Sequence, residues 1–160
     1  MTKEKEAADR VETVQGYVKQ FLEAVPDPYW RTKGIAHSFG VSLAAVLLAK
    51  KRGLDPECAA IAGLLHDLYA YRQQDYEDHA HKGAVLAKEI LDTLQVTSSS
   101  ETELICGAIL THDDLDRMDT PFQELLKDAD FIQNKMTNPN AVITPEQTAR
   151  YERLSKEFGF

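Results

Sequence analysis

Residues 63–72 read GLLHDLYAYR. An apolar run with helical spacing ends in a histidine followed at once by an aspartate, then two tyrosines and an arginine. Two strong polar groups at the end of a segment patterned for burial need partners, because an unpaired buried polar group costs roughly 1–3 kcal/mol. A capped helix end with a satisfied histidine would meet that need for a single His-Asp pair. The rest of the chain decides whether more is at work.

Upstream, Asp55-Pro56 reads as an N-cap and first helical residue, so the doublet closes a helix carrying CAAIAGLLHD. Before it, an amphipathic stretch from about Trp30 to Arg52 stops at Gly53, placed as a C-terminal glycine cap. A first helix over about 4–24 is ended by Pro26-Asp27-Pro28. Downstream, 69–78 reads as a loop, and Asp78 caps a helix that runs to about Leu94. Two overlapping capping boxes, Ser98 with Glu101 and Ser100 with Glu103, open the next helix, which reaches His112. An acidic loop over 113–119 reads as a solvated connection. Thr120-Pro121-Phe122-Gln123 starts a helix holding LLKDADFIQNKM, and Thr144-Pro145-Glu146-Gln147 starts a last one ending near Phe158. No stretch alternates as a strand does. The expected fold is all-α: a compact single-domain bundle of about six to seven helices over residues 1–160. Its core covers about 30–136, with the helices 4–24 and 144–158 packed around it.

Composition narrows the partners. One hundred and sixty residues suit one sizeable core. A formal net charge of −8 argues against a nucleic-acid backbone or an anionic membrane as the main partner. A small phosphorylated substrate stays open, because a metal ion can reverse the local field. Cys58 and Cys106 lie in apolar segments and read as free thiols, which fits a reducing cytoplasm. The first ten residues are charged and no signal-peptide core follows. The longest apolar run, VSLAAVLLA at 41–49, is shorter than a membrane span.

The five histidines separate by helical row. His37 shares a row with Val41, Ala44 and Leu48; His66 with Ala59 and Ala62; His79 with Gly83, Leu86 and Ile90; His112 with Ile105 and Ala108. Spacings of three, four and seven point all four inward from four helices. His81 shares its row with Val85, Lys88 and Asp92 and reads as solvated. A core histidine is ordinarily a satisfied side chain. Four in one small core are a large unforced cost, and a shared metal would supply a partner to each. Imidazole is the commonest metal ligand, and carboxylates bring the charge that a divalent ion requires. Asp67, beside His66 at a helix end, fits such a cluster.

At these residues the chain resembles the HD-domain superfamily of metal-dependent phosphohydrolases, over about Lys33 to Met136. The family pattern is a lone histidine, a His-Asp doublet and a distant aspartate. Here these are His37 in IAHSFGVSLA, His66-Asp67 in AGLLHDL, and Asp130 in LLKDADFI. Two-metal members add a histidine four residues before a glycine and another ending a later helix, matched by His79 in HAHKGAVLAKEIL and His112 in GAILTH. Helical row and family pattern both select His79 over His81. Periodicity leaves Asp128 and Asp130 open, since they flank the stripe of Phe122, Leu125, Ala129 and Met136. The family's Ala-Asp followed by an apolar residue favours Asp130, leaving Asp128 as a solvated or supporting carboxylate.

The resemblance implies hydrolysis of a phosphate ester in a small molecule, a nucleotide or similar phosphorylated metabolite, with Asp67, His66 and Lys33 as catalytic residues. One ion would be held by His37, His66, Asp67 and Asp130, and a second by His79 and His112 with Asp67 bridging. Two ions roughly 3.5–4 Å apart clamp phosphoryl oxygens and lower the pKa of a shared water. Manganese, iron, zinc, nickel and magnesium all remain open, with one or two ions. Lys33 and Arg72 are the preferred phosphate-binding cations, ahead of Arg31 and Lys82, and Tyr69, Tyr71 or Trp30 would stack on a ring of the substrate. The Gly-Tyr-Pro signature of the cyclic-dinucleotide branch is replaced by DDLDRMDTP, so that activity is not supported. Two alternatives use the same fold: a di-iron oxygenase on the same ligand set and a non-catalytic sensor or binding domain. A homo-oligomer is an open possibility.

Overall fold

The computed structural model describes residues 3–160, with side chains from residue 10 onward; residues 1 and 2 of the expected domain lie outside the described residues. Every regular element among them is helical. Helix α1 (Lys3–Glu23) buries Val14, Val18 and Leu22, a row spaced by four. The Pro-Asp-Pro segment both stops α1 and starts α2 (Pro28–Arg52). Pro28 takes the first turn and the Asp27 carboxylate accepts from the Tyr29 and Trp30 N–H groups. Gly53, at φ 68°, closes α2 by donating its N–H to Ala49. At 25 residues, α2 is long and apolar enough to cross a membrane by length and composition. It is instead the central helix of the core, with His37, Val41, Ala45 and Leu48 all buried.

Helix α3 (Pro56–Leu65) is capped by Asp55 and buried from Cys58 to Leu65, as its continuous apolar run requires. It lies directly on α2. A Cβ built on Gly63 would fall 2.7 Å from Ser42 Cα and N, so the two backbones touch there. The Ser42 hydroxyl donates to the Ala60 carbonyl at 3.0 Å across the same contact. Helix α5 (His79–Leu94), α6 (Ser99–Thr111) and α7 (Pro121–Phe131) complete the core, and α7 runs on into a π-helical turn, Ile132–Met136. The Ser98/Glu101 and Thr120/Gln123 capping boxes both form. A 3₁₀ turn, Pro145–Gln147, leads into α8 (Thr148–Phe158). One apolar cluster runs from Val14 through Leu154.

The structure departs from the sequence reading in several places, and of the two overlapping boxes expected at α6 only Ser98/Glu101 caps it, Ser100 lying inside the helix. The segment 69–78 opens as a short helix, α4 (Leu68–Gln73), closed by Gln74 in the left-handed region at φ 57°. Asp78 precedes α5 but does not cap it. Its backbone is left-handed, at φ 53°, and its carboxylate accepts from His81 Nδ1 at 2.7 Å. Asp128 is fully buried, held by Arg52, Arg150 and Arg153. The acidic segment 113–119 is exposed through Met118, as a solvated connection should be, and is tied down at its end, where buried Lys127 donates to the Arg117 carbonyl and the Asp119 carboxylate, each at 2.8 Å.

Candidate metal centre

Each candidate ligand sits where a helix begins, ends or crosses the core. His37 is inside α2, His66 ends α3, Asp67 forms the junction to α4, His79 opens α5, His112 ends α6, and Asp130 lies near the end of α7. The last carbonyls of a helix have no intrahelical partner. His66 Nδ1 donates to the Gly63 carbonyl at 2.8 Å, filling one of those vacancies, and His112 Nδ1 donates at 2.7 Å to the Ile109 carbonyl, which also accepts the His112 backbone N–H. His79 Nδ1 donates to the Tyr76 carbonyl at 2.7 Å. His37 Nδ1 donates to Oε1 of Gln133, on the π-turn. This is the local reason for two strong polar groups after an apolar run: the imidazole caps its own helix with one nitrogen and presents the other inward.

All four Nε2 atoms meet at Asp67. His37 and His66 Nε2 are 3.1 Å apart, and each lies 3.5 Å from Asp67 Oδ2. Asp130 Oδ1 completes this group, 2.9 Å from His37 Nε2 and 3.6 Å from His66 Nε2. On the other side, His79 and His112 Nε2 are 3.2 Å apart and lie 3.4 and 3.2 Å from Asp67 Oδ1. A neutral imidazole whose Nδ1 donates has only a lone pair at Nε2. As neutral rings they would set lone pairs against lone pairs and carboxylate oxygens at about hydrogen-bond distance, so the set calls for positive charge at its centre, from protons or from a metal ion. Asp67 Oδ1 is buried and without a hydrogen-bond donor. Only positive charge reconciles such a set. Divalent ions fit it, with neutral nitrogens and carboxylate oxygens in the mixture that they take from proteins.

The electrostatics agree. Burial opposes charge on His37, but hydrogen bonding to Asp130 and Asp67 outweighs it and lifts the imidazole to about 10. His112 is raised to about 9 on the same balance, with Asp67 as the counter-charge. Burial works against the Asp67 carboxylate too, yet the surrounding histidines hold it well below the ordinary range. Asp130 is lowered likewise by His37 and His66.

A cavity of about 340 Å³ opens onto this cluster, lined by Lys33, Tyr71, Tyr76, Asp113, Leu115 and Asn134 beside the ligands. Lys33 Nζ lies 5.1 Å from the centre of the Tyr76 ring and 5.5 Å from that of Trp30. Burial penalises its charge, and bonding to Tyr76 more than restores it. Asn134 donates to Asp130 Oδ1 at 2.9 Å. Burial, then the Asp67 carboxylate, holds the Tyr71 phenol far above its ordinary range, so it is a donor.

The expected substrate-binding residues divide. Lys33 reaches the cavity, whereas Tyr69 and Arg72 do not line it. Because 68–73 is helical, successive residues turn about 100° apart. Tyr71 faces in, while Arg72 stands over the Phe21 ring of α1 at 5.7 Å and Lys82 over Tyr69 at 5.6 Å. His81 is exposed, with its side chain 72% accessible. Gln133, Asn134 and Tyr76 were not singled out from the sequence. Gln133 and Asn134 fall three and four residues after Asp130, the helical offset that could have revealed them. A separate group, Asp55, Cys58 and Glu101, holds no vacancy: Asp55 caps α3, Glu101 is paired with Arg10, and burial pushes the Cys58 thiol up to about 12.

The chain is similar to known proteins in sequence and in fold. The model of the HD domain family matches residues 34–135. The chain is 31% identical over 133 residues to "Putative phosphohydrolase YueE" of Bacillus subtilis (strain 168), covering 72% of this chain and 74% of that one. Ribonuclease Y of Clostridium perfringens (strain 13 / Type A) is 36% identical over 123 residues, 76% of this chain. Ribonuclease Y of Opitutus terrae is 30% identical over 121 residues, 75% of this chain. The chain spans only 22% and 21% of those two ribonucleases. The crystal structure of a predicted HD superfamily hydrolase from an uncultured Thermotogales bacterium superposes with a TM-score of 0.65 at 23% identity. It covers 93% of this chain and 87% of that one, and shares the fold. With its helical fold and its converging histidines and aspartates, the chain belongs to the HD-domain superfamily of metal-dependent phosphohydrolases.

Proposed function

We propose that the protein hydrolyses a phosphate ester in a small molecule, with nucleotides and similar phosphorylated metabolites as the substrate class. The observation that carries this reading is the convergence of four Nε2 lone pairs on the two oxygens of Asp67. His37, His66, Asp67 and Asp130 would hold one divalent ion, and His79 and His112 a second, with Asp67 Oδ2 facing the first group and Oδ1 the other. Such ions, when bound, polarise the phosphoryl group and acidify a water to a nucleophile near neutral pH.

The remaining work belongs to the protein. Asp67 stays ionised between the two histidine pairs and presents one oxygen to each, supplying the negative charge that a divalent ion requires. Gln133 keeps the proton of His37 on Nδ1, and the three backbone carbonyls do the same for His66, His79 and His112. Lys33 brings a cation to the cavity wall, where it would neutralise the substrate's phosphate. Tyr76, packed on Trp30 with ring centres 5.6 Å apart, offers an aromatic surface to an organic group beyond that phosphate.

The test is phosphate release. Protein loaded with manganese is expected to liberate phosphate from members of a panel of nucleoside and sugar monophosphates, and a chelator to stop it. Asp67→Ala should lower the rate at least about 100-fold, since it removes the carboxylate common to both groups. His81→Ala should change nothing. Full activity in Asp67→Ala, or hydrolysis indifferent to the chelator, would overturn the reading. Keeping the assay free of oxygen separates it from an oxygenase.

A further inference from the structure

The Tyr71 hydroxyl makes no hydrogen bond of full geometry although the residue is 0% exposed, and its polar neighbour is the Tyr76 hydroxyl, itself a phenol that leaves the pair short of an acceptor. The ring is firmly seated. It packs against Trp30, His37 and Tyr76 with ring centres 6.1 to 6.4 Å apart. It also fills the space beside Gly34, where an added Cβ would lie 2.9 Å from Tyr71 Cγ. The residue lines the cavity with Lys33, Asp67 and Asp130. An orphaned buried hydroxyl costs free energy, and a phenylalanine would fill the same space without that cost. The hydroxyl is therefore unexplained by packing.

We propose that Tyr71 is a substrate-binding residue whose Oη donates a hydrogen bond to a phosphoryl oxygen in the cavity that Lys33 also lines. The inference rests on the hydrolytic reading for its ligand. A tetrahedral oxyanion offers several acceptors at once, so one ligand can satisfy a neutral phenol and an ammonium together. The carboxylates of the cluster cannot take that place, since neither accepts from Tyr71.

The discriminating variant is Tyr71→Phe, which removes one oxygen atom. Three measurements go together: thermal unfolding of the metal-free protein, manganese affinity, and calorimetric binding of inorganic phosphate to the manganese-loaded protein. Expected are an unfolding midpoint at or above that of the wild type, unchanged manganese affinity, and a phosphate Kd raised about tenfold or more. A lowered midpoint or failure to fold would make the hydroxyl structural and overturn the proposal. Phosphate affinity within about twofold of wild type would also overturn it. The hydrolytic reading is judged separately: if the wild type releases no phosphate from any ester yet binds phosphate through Tyr71, that reading fails and the oxyanion contact stands.

Discussion

An imidazole that has given its Nδ1 proton to a neighbour has one lone pair left, and its direction is set by that neighbour. For His66, His79 and His112 the neighbour is a backbone carbonyl three residues earlier, so the ring orientation is built into the local helix end. His37 sits inside α2, where every carbonyl is already used, and depends on the side chain of Gln133. It is the one ring of the four oriented by a distant residue. Gln133→Leu is expected to weaken manganese binding about 10- to 100-fold, the usual effect of losing an outer partner of a metal-binding histidine. Gln133→Glu, which keeps the acceptor, should retain affinity. Chelator competition followed by elemental analysis measures both. His66 and Asp67 were legible as candidates because a polar doublet ending an apolar run violates the pattern around it. Gln133 violates nothing locally, so only its contact reveals it.

At the scale of elements, the site depends on how closely helices approach. The α2–α3 contact at Gly63 has no room for a methyl group, and the obstacle is the Ser42 backbone, which cannot rotate aside. Gly63 also provides the carbonyl that orients His66. Gly63→Ala is therefore expected to destabilise the fold by about 1–3 kcal/mol, as overpacking does, and to lower metal affinity with it. Thermal unfolding and metal titration of the same sample test the coupling. The apolar rows of α2, α3, α5 and α6 were readable from spacing alone, because a helix repeats every 3.6 residues whatever surrounds it. Helix α4 was not readable in this way. At six residues it is too short to stand alone, and packing holds Leu68, Ala70 and Tyr71 in place.

For the whole molecule, a buried ion network ties the last helix to the core. The Asp128 carboxylate accepts from Arg52 on α2 at 2.8 Å, from Arg153 on α8 at 2.7 Å, and from Arg150 on α8; Arg52 also pairs with Glu157. The network begins two residues before Asp130 and anchors the turn of α7 that carries it. Asp128→Ala would leave three guanidinium groups around an empty place and is expected to cost about 3–5 kcal/mol. Denaturant unfolding would measure this, and the folded fraction should keep its full metal content, unlike Asp130→Ala. The pH dependence has a definite sign. Burial raises the Asp128 pKa, but Arg153, then Arg52 and Arg150, hold it below the ordinary carboxylate value. A carboxylate with a depressed folded-state pKa stabilises fully above its unfolded value of about 3.9 and loses that contribution as the pH falls through the folded value. Acid unfolding of the wild type should therefore steepen below about pH 4, and Asp128→Asn should flatten that limb.

The sequence by itself determined the helical class, most helix boundaries and the inward rows of His37, His66, His79 and His112. Each follows from interactions spanning a few residues: caps, proline and glycine stops, and a fixed helical repeat. Only the tertiary structure decided what separate helices bring to one point. Asp128 and Asp130 flank the same apolar stripe in the sequence, yet one turns to three arginines and the other to two histidines. Tyr71 and Arg72 are neighbours in the chain, and the packing of α4 sends one into the cavity and the other onto α1. Periodicity assigns a face, but the charge waiting opposite that face belongs to residues far away in the chain, and that is where the physical choice was made.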